Sequence, residues 1–199
     1  MHYYVEITCL PDEGVPAEFI MGKVMGVLHL AFVGLHRELG HNPVGISFPE
    51  YLCQANEQGR IETQIGGKIR LFSREPVHLE KLNISQPLER LADYVHVRRI
   101  SSLDRPNLAF ATFARVQPKS SRERLIRRQA KRSDQPEALL REQYQAFDEE
   151  RLRLPFVHLR SHSNTQTFRL FIHRQPAEAS TAWQFGTYGL SSTVAVPLF

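Results

Sequence analysis

The sequence predicts an α+β chain in two domains, and three observations carry the prediction. Patterning over the first hundred residues reads strand, helix, strand, strand, helix, strand; SLDRPN at 102–107 looks like a linker; and eight Lys or Arg residues crowd between Arg115 and Arg132. That element order is the ferredoxin-like one, which RNA-recognition domains share with many unrelated functions, so order alone assigns no activity. The expected division is a ferredoxin-like domain over 1–107 and a smaller α+β domain over 108–199 that bears an arginine-rich helix at about 120–132.

Each element follows from local chemistry. Residues 3–10 alternate and are rich in Tyr, Val, Ile and Thr, as a half-buried strand requires, before Pro11, Asp12 and Gly14 break the run. From Pro16 to about Leu39, Ile20, Val24, Val27, Leu28, Ala31 and Leu35 recur at helical spacing, with Pro16 suited to a first turn. Gly22, Gly26 and Gly34 weaken that helix in isolation, so packing must hold it. Val44–Phe48 and Lys68–Phe72 are short strands, and the polar stretch 53–67 between them is a surface loop or hairpin tip. Leu79, Leu82, Leu88, Leu91 and Ala92 give a helical pattern over 77–93 that Pro87 interrupts, and YVHVRRI at 94–100 is again strand-like.

Beyond the linker, AFATFARV at 109–116 reads as a strand leading directly into the basic run. Ser120 and Glu123 have the spacing of a capping box, which predicts a helix to about Lys131 or Arg132. Arg124, Arg128 and Arg132 share one face of it, Arg127 and Lys131 a neighbouring row, and like charges so spaced destabilise an isolated helix. A second helix from about Pro136 offers Leu140, Tyr144 and Phe147 as a packing stripe. PFVHLRSHS at 155–163 and TFRLFIHR at 167–174 pair as a hairpin, and the chain closes through Trp183, Tyr188 and Gly189 to an apolar tail.

The charge distribution narrows the partner. The run 115–132 holds eight basic residues against the single acid Glu123, a net of +7 in a chain whose total is +4, so the other 181 residues sum to −3. Arginine outnumbers lysine six to two there, and its planar fork suits phosphates and guanine edges. A polyanion is the predicted partner. The two cysteines show no CxxC or paired spacing, which disfavours a disulfide framework or structural zinc and fits reduced thiols. MHYYVEITCL has no basic region leading into an apolar core, and nowhere do 18 apolar residues run together. A soluble, unexported cytoplasmic protein without a membrane partner is expected.

GVLHLAFV around His29, GISFPE at 45–50, RVQPKS at 115–120 with the arginine-rich helix behind it, LPFVHLRSHS at 154–163, FRLFI at 168–172 and YGLS at 188–191 occur in this order across nearly the whole chain. The ordered set resembles the CRISPR repeat-processing endoribonucleases of the type I-F systems. That resemblance implies an enzyme that binds the CRISPR repeat hairpin and cuts the precursor at the 3′ base of the stem. It further implies no metal and no cofactor, a 2′,3′-cyclic phosphate product, and retention on the mature crRNA beside other subunits of a type I-F interference complex. A non-catalytic hairpin-binding module is the alternative.

The resemblance also assigns residues. His29 matches the base that takes the 2′-hydroxyl proton, a task for which a pKa of about 6.5 is suitable; unaided, a lone histidine in an amphipathic helix reads as structural. Ser161 matches the serine that orients the ribose, and Tyr188 the tyrosine that positions the histidine. Arg115 and Gln117 match readers of base edges near the bottom of the stem, by bidentate Arg to guanine and Gln to adenine geometry. Arg124, Arg127, Arg128, Lys131 and Arg132 would enter the hairpin groove, Lys131 standing where the family more commonly has arginine. Phe168 matches an aromatic that stacks at the loop, and Ser163 is a further RNA contact or a sharer of the serine's role. His162 is a second titrating candidate. His158 and His162 lack the carboxylate or thiolate company a metal site would need.

Overall fold

The computed structural model describes residues 2–117, 122–133, 135–145, 152–161 and 166–199. The chain divides into two compact units, Met1–Val116 with Leu154–Phe199, and Gln117–Arg153. It is a mixed protein of antiparallel sheets and, among the described residues, four α-helices.

In the first unit, β1 (His2–Cys9) leads into α1 (Ala17–Leu39), β2 (Gly45–Ser47), the β3–β4 pair (Leu52–Ala55 and Ile61–Gln64), β5 (Lys68–Ser73) and α2 (Pro76–Leu82). β6 (Val95–Val97) and β7 (Ser101–Leu103) follow, both antiparallel to β1 along one edge. The sheet runs β2-β5-β1-β6, with β7 also on β1. The predicted strand at 94–100 is therefore an interrupted edge that continues to Leu103 and takes the first residues expected of the linker. The stretch expected as loop or hairpin tip is a β3–β4 hairpin in register from Leu52↔Gln64 to Ala55↔Ile61. α2 stops well before Pro87, because Asn83 adopts a left-handed conformation at its C-cap and turns the chain.

The second sheet, in the same unit, is ordered β11-β8-β10-β9, from β8 (Ala109–Val116), β9 (Phe156–Arg160), β10 (Thr167–Ala177) and β11 (Ser191–Leu198). β9 and β10 form the expected hairpin, in register from Thr167↔Arg160 to Phe171↔Phe156. Residue 107 falls between the two sheets, whereas both sheets belong to one compact unit.

α1 holds this unit together. Ile20, Met21, Val24, Met25, Leu28, Phe32 and Leu35 line its buried face at intervals of one to four residues. By length and composition the helix could cross a bilayer, its most apolar window averaging a hydropathy of 1.6, but here that face is packed into the core. At Gly22 the helix backbone comes so close to β9 that an added Cβ would lie 2.4 Å from the carbonyl oxygen of His158. Gly40, at φ 78°, ends the helix by donating its N–H to the His36 carbonyl.

The second unit contains α3 (Arg122–Ser133) and α4 (Glu137–Gln143), which pack together. Ile126 and Leu140 are fully buried, and the Tyr144 hydroxyl donates to Gln129 Oε1 at 2.5 Å. The capping residue Ser120 and Phe147 of the packing stripe lie outside the described residues.

Candidate active site

One cleft of about 270 Å³ in the first unit is lined by Gly26, His29, Leu159, Arg160, Ser161, Phe168 and Tyr188. Four elements supply these groups. α1 presents Gly26 about one turn and His29 about two turns beyond its tight contact with β9 at Gly22; the end of β9 delivers Leu159 to Ser161; β10 adds Phe168; and the turn before β11 adds Tyr188. Gly26 leaves the space above the helix open, since an added Cβ there would meet nothing within 4 Å. The Ser161 N–H donates to the Gln166 carbonyl at 2.8 Å, which fixes its backbone at the strand end.

The imidazole of His29 is held on two sides. Its Nδ1 lies 2.8 Å from the carbonyl oxygen of Thr187. A carbonyl only accepts, so Nδ1 carries the proton, and Nε2 of the neutral ring keeps its lone pair. The Tyr188 ring stacks on the imidazole face, with centroids 4.1 Å apart and planes 8° from parallel. Arg115 on β8 adds positive charge, its guanidinium carbon 5.6 Å from the Tyr188 centroid and 5.9 Å from that of Phe168. Burial pushes the Tyr188 phenol above its ordinary pKa and the Arg115 charge pulls the other way. A raised phenol is neutral at working pH.

The turn that carries Thr187 and Tyr188 is anchored to β2 and the stretch before it. The fully buried Asn42 donates from Nδ2 to the carbonyls of Val44 at 3.0 Å and Gly186 at 2.9 Å, and its Oδ1 accepts the Val44 N–H at 3.1 Å. Phe185 N–H donates to the Asn42 carbonyl and Ile46 N–H to the Gly189 carbonyl, both at 2.9 Å. Gly189 is at φ 70° and packs so tightly that a Cβ would lie 2.7 Å from Ile46 Cγ2.

The structure thus brings His29, Ser161, Tyr188 and Phe168 into one cleft, with Arg115 beside it. Phe168, assigned by resemblance to the loop end of the hairpin, lies in the wall that faces His29. Gln117 is exposed and belongs to the second unit. Arg127, Arg128, Lys131 and Arg132 are exposed on α3. The Arg124 side chain, His162 and Ser163 lie outside the described residues. His158 is exposed and edge-on to Phe156 at 5.0 Å. Among the described residues, no three His, Cys, Asp or Glu side chains gather as metal ligands would.

Sequence reasoning missed four contributors: Gly26, Arg160, the Thr187 carbonyl and Asn42. Arg160 was visible as a basic neighbour of Ser161. A backbone carbonyl has no residue-type signature, and Asn42 in HNPVG reads as an ordinary turn residue.

The chain is similar throughout to two curated relatives, both named CRISPR-associated endonuclease Cas6/Csy4. The protein from Escherichia coli (strain UTI89 / UPEC) is 30% identical over 204 residues, and the one from Pseudomonas aeruginosa (strain UCBPP-PA14) 32% identical over 200; each match covers 100% of both chains. A solved structure titled CRISPR associated protein Cas6 aligns over 100% of this chain and 99% of its own, at 14% identity and a TM-score of 0.33. With the CRISPR-associated protein (Cas_Csy4) family matching residues 4–199, the chain belongs to that family.

Proposed function

We propose that the protein is a metal-independent, sequence- and structure-specific endoribonuclease that matures CRISPR RNA. It binds the repeat stem-loop, cuts the precursor at the 3′ base of the stem and keeps the mature crRNA within a type I-F interference complex in the cytoplasm. The observation that carries the reading is the His29 contact with Thr187, in which the carbonyl accepts from Nδ1–H and so favours the tautomer that leaves Nε2 as a base, in a cleft shared with Ser161.

In the proposed reaction Nε2 takes the proton of a ribose 2′-hydroxyl while Ser161 holds that ribose. The 2′-oxygen attacks the adjacent phosphorus, the bond to the 5′-oxygen breaks, and that oxygen takes a proton from water, while the His29 imidazolium returns its proton to solvent. A 2′,3′-cyclic phosphate and a 5′-hydroxyl result, and no covalent enzyme intermediate forms. The half-buried ring of Phe168 stacks on a base beside the scissile bond. Arg115 reads a guanine edge at the bottom of the stem, close to the reacting phosphate, and Gln117 reads an adenine. The arginine row of α3 tracks the backbone. The sheet order β2-β5-β1-β6, antiparallel throughout, supports a ferredoxin-like reading of residues 1–107.

The test is cleavage of the cognate repeat RNA in EDTA, beside the same RNA carrying 2′-deoxyribose at the cut nucleotide. Only the all-ribose RNA should be cut. Cleavage of both overturns 2′-hydroxyl attack, and tight binding without cleavage of either favours the hairpin-binding module.

A further inference from the structure

We infer that Asn42 is a positioning residue for His29, acting from behind the site through the turn 185–190; this rests on the reading of His29 as the base. The tautomer of His29 is set by one acceptor, the Thr187 carbonyl, which lies in a short segment between Gly186 and Tyr188. That acceptor is only as well placed as the segment. Both sides of it are tied to one stretch of chain: Asn42 Nδ2 donates to the Gly186 carbonyl immediately before Thr187, and Ile46 N–H donates to the Gly189 carbonyl two residues after it. The second tie is backbone to backbone and independent of side-chain identity. The first depends on a carboxamide.

Asn42 fits this role because it satisfies the N–H and the carbonyl of Val44 while also reaching the Gly186 carbonyl. Its oxygen accepts from Val44 N–H and its two N–H groups reach the carbonyls of Val44 and Gly186, so both donors are used, and a flipped amide would set its oxygen against a carbonyl and its NH₂ against an N–H. At 0% exposure, no water competes for these bonds. Its backbone adds a bridge to Phe185, whose ring fills the space above Gly45, where a Cβ would lie 2.4 Å from the ring. Loss of the amide removes the side-chain tie and leaves Gly186 held by the turn's own bonds, Gly189 N–H to its carbonyl at 2.8 Å and its N–H to the Leu190 carbonyl at 2.9 Å, beside the backbone bond from Phe185 to Asn42. The turn then shifts as a unit, the Thr187 carbonyl moves off Nδ1, and the imidazole samples the tautomer protonated at Nε2, whose Nε2 cannot accept the ribose proton. The Tyr188 stack loosens with it, because Tyr188 belongs to the same turn.

The experiment uses ¹⁵N-histidine-labelled full-length protein with Asn42→Ser and Asn42→Asp, and His29→Ala as a control. Single-turnover cleavage, affinity for a 2′-deoxy hairpin, melting temperature and the ¹⁵N pattern of His29 are measured for each. Both Asn42 variants should fold and hold the hairpin within about twofold of wild type. Their cleavage rates should fall about 10- to 100-fold, taking as guide the scale on which partners behind a metal-bound histidine act, and the His29 nitrogens should shift from the Nδ1-protonated pattern towards a tautomer mixture. Unchanged rates, slowed cleavage with an unchanged tautomer, or failure of both variants to fold would each overturn the inference and leave Asn42 as a fold residue. Undiminished cleavage by His29→Ala would instead remove the base assignment itself, whatever Asn42 does.

Discussion

Gly22→Ala tests the contact that aims α1. The new Cβ would stand 2.4 Å from the His158 carbonyl oxygen, where real contacts are essentially never under 3.0 Å, so helix and strand must part by about 0.6 Å. The obstructing atom is backbone and cannot rotate away, which puts the strain near the upper end of the usual overpacking range, about 3 kcal/mol. Replacing glycine inside a helix returns about 1 kcal/mol of propensity, so the variant should lose about 2 kcal/mol. Gly34→Ala is the control, because its Cβ would meet nothing within 4 Å and only the gain remains. The two variants should therefore differ by about 3 kcal/mol, or about 6–12 °C in melting temperature at this chain length. His29 lies seven residues beyond Gly22 on the same helix, so Gly22→Ala should also slow cleavage well below its melting point, while Gly34→Ala cleaves normally. Equal melting temperatures for the two, measured by circular dichroism and checked by urea midpoints, would refute the claim that Gly22 is required by backbone approach.

Three further outcomes are expected. His29→Ala should cut about 10²- to 10⁴-fold more slowly, the usual range for general base catalysis, while hairpin affinity is retained; a matching loss of binding would show a structural histidine. Arg128→Ala with Arg132→Ala should weaken hairpin binding and make the log–log salt slope less negative by about 2, on the duplex coefficient of roughly 0.9 per phosphate contact; an unchanged slope removes α3 from the RNA interface. Burial, with Glu50 nearby, pushes the Cys9 thiol up to about 12, whereas Cys53 is half-buried. The unfolded thiol ionises first, near 8.5, so this contribution to stability is complete below that pH and is lost as pH rises towards 12. The stability difference between wild type and Cys9→Ala should therefore shrink on raising pH from 8 to 10, and iodoacetamide at pH 8 should alkylate Cys53 while sparing Cys9 in the native protein; equal labelling rates would contradict the burial.

What was legible in the sequence was what short-range patterning encodes. The apolar spacing from Ile20 to Leu35 marked α1, alternation marked β1 and β8, and the β9–β10 hairpin followed from two strand-like runs around a polar turn. The interrupted edge at β6 and β7 was not, because pairing with β1 decides where that strand ends, and β1 lies some ninety residues earlier. Convergence of His29, Ser161 and Tyr188 in one cleft was reachable only through ordered motifs, since no local pattern relates residues so far apart. The finest part of the site was beyond both routes. The proton on His29 is placed by a carbonyl 158 residues away, and the turn bearing that carbonyl is tied by an asparagine 144 residues from Gly186. Neither group is chemically unusual as a residue type; their function is a position. With His29 as the proposed base, substitutions around 42–46 should alter the rate of cutting more than the strength of holding, because that stretch reaches the imidazole through the turn, while the charge proposed to hold the RNA lies on the arginines of α3.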